Sequence, residues 1–157
     1  MKKLYVISLI TVILDQVIKN LFILFMTYGQ SVSVIDGFFN ITLVGNTGAA
    51  FSILSSNTIL LILISIVVLN LLYFCFIKGK NLNDLEQISY GLLIGGIMGN
   101  LIDRVIHMKV IDYLDFNIFG YNFPVFNLAD IVIVVSMILI IYQIIKGEIN
   151  GISSKRK

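Results

Sequence analysis

The sequence predicts an all-α membrane protein with four transmembrane helices, both termini in the cytoplasm, and a small extracytoplasmic β element in the first outer loop. Hydrophobic residues make up 58% of the 157 residues and charged residues only 13%. A soluble domain carries about 25% charged residues, so this chain has too little polar surface to cover a water-soluble particle. Four apolar runs are long enough to cross a bilayer, and the distribution of basic residues gives them a direction.

The first predicted span contains charged residues and the second contains none. Residues 4–26 form an apolar run that is interrupted by Asp15 and Lys19. A cleaved signal peptide fits this run poorly, because it is too long and no small-residue cleavage site follows, so we expect an uncleaved helix. Residues 58–77 contain no charged residue and form the cleanest predicted span.

The third and fourth predicted spans complete the bundle. Residues 88–106 carry Gly91, Gly95 and Gly99 at four-residue spacing, which lets a neighbouring helix approach the backbone closely. We therefore interpret this run as the central packing helix. Residues 125–145 form the last span. All four spans are predicted to belong to a single integral membrane domain that covers residues 1–157.

Basic residues set the orientation of the predicted helices. Residues 27–57 contain no lysine or arginine, so the positive-inside rule places this loop and the loop at 107–124 outside the cytoplasm. The first outer loop alternates valine with serine between glycine-containing turns, which predicts short strands. Eight of the eleven basic residues lie on the cytoplasmic side: Lys2, Lys3, Lys78, Lys80, Lys146, Lys155, Arg156 and Lys157.

Polar residues of three predicted spans fall at one depth. A helix rises about 1.5 Å per residue, which places these residues in the outer half of a hydrocarbon core about 30 Å thick. Ionisable groups inside spans are costly and usually functional, so the shared depth predicts a site at the extracytoplasmic face. Asp112 and Asp115 of the second outer loop lie just above it. The residues of this layer are Asp15, Lys19, Asn100, Asp103, Arg104, Asn127 and Asp130.

The available side chains limit the chemistry of this layer. His107 is the single histidine and Cys75 the single cysteine, so the sequence can build neither a multi-histidine nor a multi-cysteine metal site. Lys19 is placed to pair with Asp15 one turn earlier, which disfavours a Ser-Lys dyad and allows a purely structural role for both residues. Two carboxylates that share one proton remain, and they could activate water without metal or cofactor. The candidate carboxylates are Asp103, Asp112, Asp115 and Asp130.

Two other functions compete with hydrolysis. A proton- or ion-coupled transporter would also use membrane carboxylates, but its polar groups should cross the whole bilayer rather than crowd into one half. A non-catalytic scaffold would explain the glycines of the third span but not Asp112 and Asp130. Nucleic-acid binding is disfavoured, because the net charge is only +2 and no internal basic cluster exists.

Five motifs resemble those of the bacterial lipoprotein signal peptidases, also called signal peptidase II. They occur in order between residues 15 and 130, and one position departs from the family, which often has Phe where Tyr113 stands. The motifs are Asp15-Gln16-x-x-Lys19, Asn46-Thr47-Gly48-Ala49-Ala50-Phe51-Ser52, Gly95-Gly96-x-x-Gly99-Asn100-x-x-Asp103-Arg104, Val110-Ile111-Asp112-Tyr113 and Phe126-Asn127-x-Ala129-Asp130.

The resemblance implies an aspartyl endopeptidase of the bacterial cytoplasmic membrane. Such an enzyme removes the signal peptide of a diacylglyceryl-modified prolipoprotein just before the lipidated cysteine, and it is inhibited by the cyclic peptide globomycin. The resemblance implies that Asp112 and Asp130 are the catalytic pair, that no cofactor is required, and that the partners are prolipoproteins and membrane lipids. Binding or supporting roles are implied for Asn46, Gly48, Asn100, Asp103, Arg104, Asn127, Asp15 and Lys19.

Overall fold

The computed structural model describes residues 1–48 and 57–147, and within them it contains four α-helices and four β-strands. The second helix continues into a π-helical segment, Leu72–Ile77. Residues 49–52 of the second motif and the basic residues 155–157 lie outside the described ranges. The helices are α1 (Lys2–Phe25), α2 (Thr58–Leu71), α3 (Asp84–His107) and α4 (Leu128–Lys146).

The predicted fold class of four transmembrane helices with one small β element is wrong. Three helical segments of the described chain are long and apolar enough to cross a membrane: Lys2–Phe25, Thr58–Ile77 and Leu128–Lys146. The helix α3 is not among them, because glycines and polar side chains take the place of leucine and isoleucine along it. The β structure is also larger than predicted, since it forms a four-stranded antiparallel sheet.

The helix α3 is enclosed by protein, which explains its composition. Twelve of its 24 residues are buried, against four of the 24 residues of α1. A methyl group on Gly91 would lie 2.8 Å from the carbonyl oxygen of Leu4 in α1, and one on Gly96 would lie 2.7 Å from that of Ala129 in α4. Glycine at these positions therefore lets both neighbouring helices pack directly against the backbone of α3.

The sheet joins the connection between α1 and α2, which contains β1 and β2, to the connection between α3 and α4, which contains β3 and β4. Its strands are hydrogen-bonded in the order β1-β2-β3-β4, and an irregularity in the β2–β3 register lies between Ile41 and Val44. Beyond it, Val44 pairs with Asp112 and Asn46 pairs with Val110. This register brings Asn46 beside Asp112, which starts the site described below. The strands are β1 (Ser31–Ile35), β2 (Phe39–Asn46), β3 (Val110–Ile118) and β4 (Tyr121–Asn122).

The end of the helical bundle opposite the sheet gathers basic residues. Lys3 of α1 pairs with Asp84 of α3 at 2.5 Å. Leu4 packs in one apolar cluster with Ile77 at the end of the π-helical segment, with Ile140 of α4 against it. The lysines at the start of α1, after the π-helical segment and at the end of α4 are therefore on one side of the molecule.

Candidate active site

Lys19 is the centre of a buried ionic cluster between α1 and α3. Its ammonium nitrogen lies 2.8 Å from Asp15 Oδ2 and 2.8 Å from Asp103 Oδ2, and it donates to Asn100 Oδ1 at 2.9 Å. Asp15, Lys19 and Asp103 are at most 1% exposed. Although Arg104 is adjacent to Asp103 in the sequence, the helix packing pairs Asp103 with Lys19.

The two carboxylates of this cluster also bind backbone amides of other elements. The amide of Ala129 in α4 donates to Asp15 Oδ1 at 3.0 Å. The amide of Ile111 in β3 donates to Asp103 Oδ2 at 3.1 Å, and the Gln16 side chain donates to Asp103 Oδ1 at 2.7 Å. The cluster therefore connects α1 and α3 to the two segments that carry Asp112 and Asp130.

Asn127 links the side chains of Asp112 and Asp130. As the N-cap of α4, it accepts a hydrogen bond from the Asp130 amide at 3.0 Å, and its own amide donates to Asp130 Oδ2 at 3.2 Å. This reciprocal arrangement is a capping box, which the spacing Asn-x-x-Asp supports locally. The Asn127 side-chain nitrogen donates to Asp112 Oδ1 at 2.6 Å. One buried residue therefore positions both carboxyl groups.

Asn100 connects this pair to the ionic cluster. Its side-chain nitrogen donates to Asp130 Oδ1 at 2.8 Å, while its oxygen accepts from Lys19 and, at 3.2 Å, from Asn127. Asn46 completes the set by donating to Asp112 Oδ2 at 3.0 Å. Both oxygens of each carboxyl group thus receive a hydrogen bond from a fixed donor.

The environment of Asp112 favours its protonated form. Asp112 is 2% exposed. Burial and, next, the nearby charge of Asp130 raise the pKa of Asp112 from 3.8 to about 7, while hydrogen bonds from Asn46 and Asn127 act in the opposite direction. A carboxyl group with this pKa can hold a proton at neutral pH, which the acid of a two-carboxylate mechanism requires.

Tyr113 caps the first turn of α4 from the neighbouring strand. Its hydroxyl oxygen accepts a hydrogen bond from the Leu128 amide at 3.1 Å, and its ring packs against Phe22 with centroids 4.5 Å apart. Burial raises the pKa of Tyr113 to about 12, so the hydroxyl stays neutral at physiological pH. The hydroxyl, which phenylalanine would lack, satisfies a helix amide that would otherwise have no partner in the helix.

Arg104 and Gly48 border the pair on the side of the first outer loop. An Arg104 Nη nitrogen donates to the Gly48 carbonyl oxygen at 3.1 Å, and the guanidinium interacts electrostatically with Asp130 and Asp112. The Gly48 amide donates to Asn46 Oδ1 at 2.9 Å. Arg104 therefore adds a positive charge beside two carboxyl groups that carry negative charge when ionised.

A cavity of about 730 Å³ opens on these groups. One part of its wall is polar and includes Asn46, Asn100, Arg104, Asp112 and Asp130. The other part is apolar and comes from the segment before α4 and from the first turns of α4: Phe123, Pro124, Val125, Phe126, Ile131, Ile133, Val134 and Val135. This combination suits a ligand with an extended polar backbone and apolar substituents.

Some polar residues of the outer segments lie elsewhere. Asp115 accepts a hydrogen bond from the Thr42 hydroxyl at 2.6 Å on the sheet and does not line the cavity. The Lys109 ammonium lies over the Tyr28 ring, 3.5 Å from its centroid. Within residues 1–48 and 57–147, no group of three or more histidine, cysteine or acidic side chains is arranged to hold a metal ion.

The roles of two parts of the site were not predicted from the sequence. Gln16 stands in the first motif but was given no role, although an amide inside an apolar run is a signal for one; it donates to Asp103 and, at 3.1 Å, to the Gly99 carbonyl oxygen. The apolar wall from Phe123 to Val135 gave no signal, because its residues look like any other lipid-facing or loop positions. Only the packing of the chain shows that they share a cavity with the carboxyl groups.

Comparisons with known proteins agree with this architecture. The family model for signal peptidase (SPase) II matches residues 7–146. Lipoprotein signal peptidases from two strains of Staphylococcus aureus are each 42% identical to this chain over 144 residues, which is 92% of this chain and 88% of each relative. Two solved structures, described as bacterial membrane enzymes, are 39% and 41% identical and superimpose with TM-scores of 0.85 and 0.82. The first covers 100% of this chain and 94% of the solved chain, and the second 93% and 94%.

Proposed function

The chain belongs to the signal peptidase II family of membrane-integral peptidases that remove signal peptides, and we propose that it cleaves by an aspartic mechanism with Asp112 and Asp130 as the catalytic pair. The substrates are prolipoproteins whose cysteine already carries diacylglycerol, and the cut falls just before that cysteine. The hydrogen bonds from Asn127 to both carboxyl groups, at the wall of one cavity, carry this proposal.

The two aspartates divide the chemistry between them. Asp130 is the ionised base and takes a proton from a water molecule, whose oxygen then attacks the carbonyl carbon of the scissile peptide. Asp112 is the protonated acid and donates its proton to the carbonyl oxygen as negative charge develops there. When the carbon–nitrogen bond breaks, the proton on Asp130 passes to the leaving amine, and one hydroxyl proton of the tetrahedral intermediate returns to Asp112, which restores the starting protonation of the pair. The raised pKa of Asp112 supports this assignment.

The remaining polar residues support the pair in this proposal. Asn46, Asn100 and Asn127 orient the carboxyl groups, and Arg104 and Gly48 line the approach to them. Asp15, Lys19 and Asp103 brace the helices behind the site. No cofactor enters this mechanism, since two carboxyl groups and water are sufficient.

The site is proposed to open at the extracytoplasmic face of the cytoplasmic membrane. The lysine-rich end of the helical bundle supports this orientation by the positive-inside rule, and the carboxyl pair lies toward the opposite end. There, a substrate held by its acyl chains and its signal helix presents the scissile bond at the level of the cavity. The lipid anchor thereby provides the proximity that catalysis requires.

The direct test is a gel-shift cleavage assay with purified protein in detergent. A diacylglyceryl-modified prolipoprotein should be cut, whereas the same precursor without the lipid should be cut far more slowly. Globomycin, which the family resemblance implies as an inhibitor, should block the reaction. Failure to cut a competent lipidated precursor would contradict the proposal and would make ion-coupled transport the next function to test.

The pH dependence of cleavage tests the proton on Asp112. Because the pair works with one proton, activity should fall as pH rises through about 7, where Asp112 loses that proton. Asn46→Ala removes a donor that favours the ionised form, so it should raise the pKa of Asp112 and move the alkaline half-maximum of kcat to higher pH.

The control for this shift is Asp115→Asn, which changes a carboxyl group that does not line the cavity. Its alkaline half-maximum should match that of the wild type. An unchanged or lower half-maximum for Asn46→Ala would show that Asp112 does not set the alkaline limb.

A further inference from the structure

The turn between β3 and β4 contains a phenylalanine in an unfavourable backbone conformation. Ile118 pairs with Tyr121, so Phe119 and Gly120 form a two-residue hairpin turn. Their φ angles are +51° and +83°, as in a type I′ turn. This turn strongly favours Asn-Gly, because asparagine tolerates the left-handed region far better than a bulky aromatic residue. Turn formation therefore does not explain phenylalanine at this position.

The Phe119 ring also contributes nothing to packing. Asn117 holds the turn instead, because its side-chain oxygen accepts from the Gly120 amide at 2.9 Å and its nitrogen donates to Asn122 Oδ1 at 2.8 Å. Phe119 is 105% exposed, so its ring extends fully away from the protein. Phenylalanine is unfavourable at this turn position and adds no contact to the fold, which indicates that Phe119 interacts with something outside the protein.

The surroundings of Phe119 are apolar and uncharged. Ile118, Tyr121 and Phe123 are 42%, 60% and 38% exposed. No charged residue occurs between Asp115 and Asp130. Exposed aromatic residues without charged neighbours are typical of protein surfaces at the membrane–water interface.

The base of this hairpin lies beside a membrane-crossing helix. Phe123 lines the cavity together with Ile131, Val134 and Val135 of α4, and these three residues are also 38%, 58% and 42% exposed. The helix α4 is one of the segments long and apolar enough to cross the membrane. The apolar base of the hairpin therefore borders the same cavity as the exposed apolar side chains of α4.

We propose that the hairpin tip, residues 118–121, is an interfacial anchor that inserts the Phe119 ring into the lipid leaflet next to the cavity. The partner is the acyl and glycerol region of the bilayer, which accepts aromatic rings but disfavours charge. The anchor holds the apolar side of the cavity at the lipid surface. This insertion does not depend on which peptide bond the protein cuts.

Fluorescence provides a direct test, because the chain contains no tryptophan. Phe119→Trp introduces a single reporter into protein reconstituted in vesicles of phosphatidylethanolamine and phosphatidylglycerol. Lipids brominated on their acyl chains should quench its emission, and aqueous iodide should not. Ile138→Trp, at a residue of α4 that is 60% exposed, is the matched positive control for contact with lipid.

Two fluorescence results would overturn the anchor. Quenching by iodide but not by brominated lipid would place the tip in water. Protection from both quenchers, with Ile138→Trp still quenched by bromine, would show that a second copy or another protein segment covers the tip.

Phe119→Asn separates anchoring from folding. Asparagine suits the type I′ turn, so the melting temperature in detergent should stay equal or rise. Under the proposed function, cleavage of a substrate embedded in vesicles should fall severalfold, while cleavage in detergent should be unchanged. Equal activity of Phe119→Asn and wild type in vesicles would contradict the anchor. An equal loss of activity in detergent would also contradict it, because Phe119 would then act in the fold or in the site.

Discussion

Asp112→Asn and Asp130→Asn should each abolish cleavage of a lipidated prolipoprotein. Asparagine keeps the size of the side chain, but it can neither accept a proton from water nor donate one to the scissile carbonyl. Loss of the acid or the base should lower kcat by at least about 10²–10⁴-fold, and by more if the two groups act as one unit. The measurement is single-turnover cleavage in detergent.

The stability of these variants distinguishes lost chemistry from lost folding. The pKa of Asp112 is raised from 3.8 to about 7, so its contribution to folding stability decreases as pH rises from about 4 to 7 and is constant above that. Asparagine cannot ionise, which removes the cost of a buried charge at pH 8, but its amide nitrogen replaces one of the two oxygens that accept from Asn46 and Asn127. These effects oppose each other, so at pH 8 the Asp112→Asn variant should melt close to the wild type. Inactivity at an unchanged melting temperature would support a catalytic role.

Asp115→Asn is the matched control for both variants. Asp115 lies three residues beyond Asp112 on the same strand, but its carboxylate binds Thr42 and does not line the cavity. This variant should cleave at the wild-type rate. If Asp115→Asn is inactive and Asp112→Asn cleaves normally, the protein remains a peptidase but the proposed pair is wrong.

Lys19→Met should destabilise the protein more than any exposed charge substitution. Lys19 is 1% exposed and is the cation between Asp15 and Asp103, each 2.8 Å away. Removing one partner of a buried ion pair leaves uncompensated charge and costs about 3–5 kcal/mol. Thermal unfolding in detergent, followed by circular dichroism, should show a large decrease in melting temperature, with loss of activity as a consequence.

Two further variants make the Lys19 result specific. Lys3→Met breaks the pair with Asp84, whose side chains are 57% and 69% exposed, so it should change stability by less than about 1 kcal/mol. Asp103→Asn in the Lys19→Met background removes one orphaned carboxylate and should restore part of the lost stability. Equal melting temperatures for Lys19→Met and Lys3→Met would refute the central role of this ammonium group.

Much of the candidate site could be predicted because its residues are costly in an apolar chain. Asp15, Lys19 and Asp130 interrupt runs of aliphatic residues, and the rise of a helix converts their positions into a common depth. The family resemblance read from five motifs is confirmed by the match to residues 7–146. The roles of the individual residues remain predictions, which the substitutions above test.

The fold could be predicted less well where it depends on contacts between helices or strands that are distant in the sequence. The packing role of α3 was predicted from its glycines, but α3 was also counted as a fourth membrane-crossing helix, whereas its glycines and buried polar residues reflect contact with α1 and α4. Strand β3 was not predicted, because residues 107–124 were assigned to an outer loop without secondary structure. Its antiparallel pairing with β2 joins residues nearly seventy positions apart, such as Val44 and Asp112.

The sequence by itself determined the location of this protein in a membrane, its family and the residues that gather in one polar layer. These properties follow from composition, from spacing along single helices and from short motifs, all of which are local. The tertiary structure decided that Lys19 pairs with Asp103, that Asn127 holds both carboxyl groups, and that Phe119 extends from the protein. Those features depend on packing between distant segments, because a hydrogen bond or an exposed ring is defined only once its neighbours are in place.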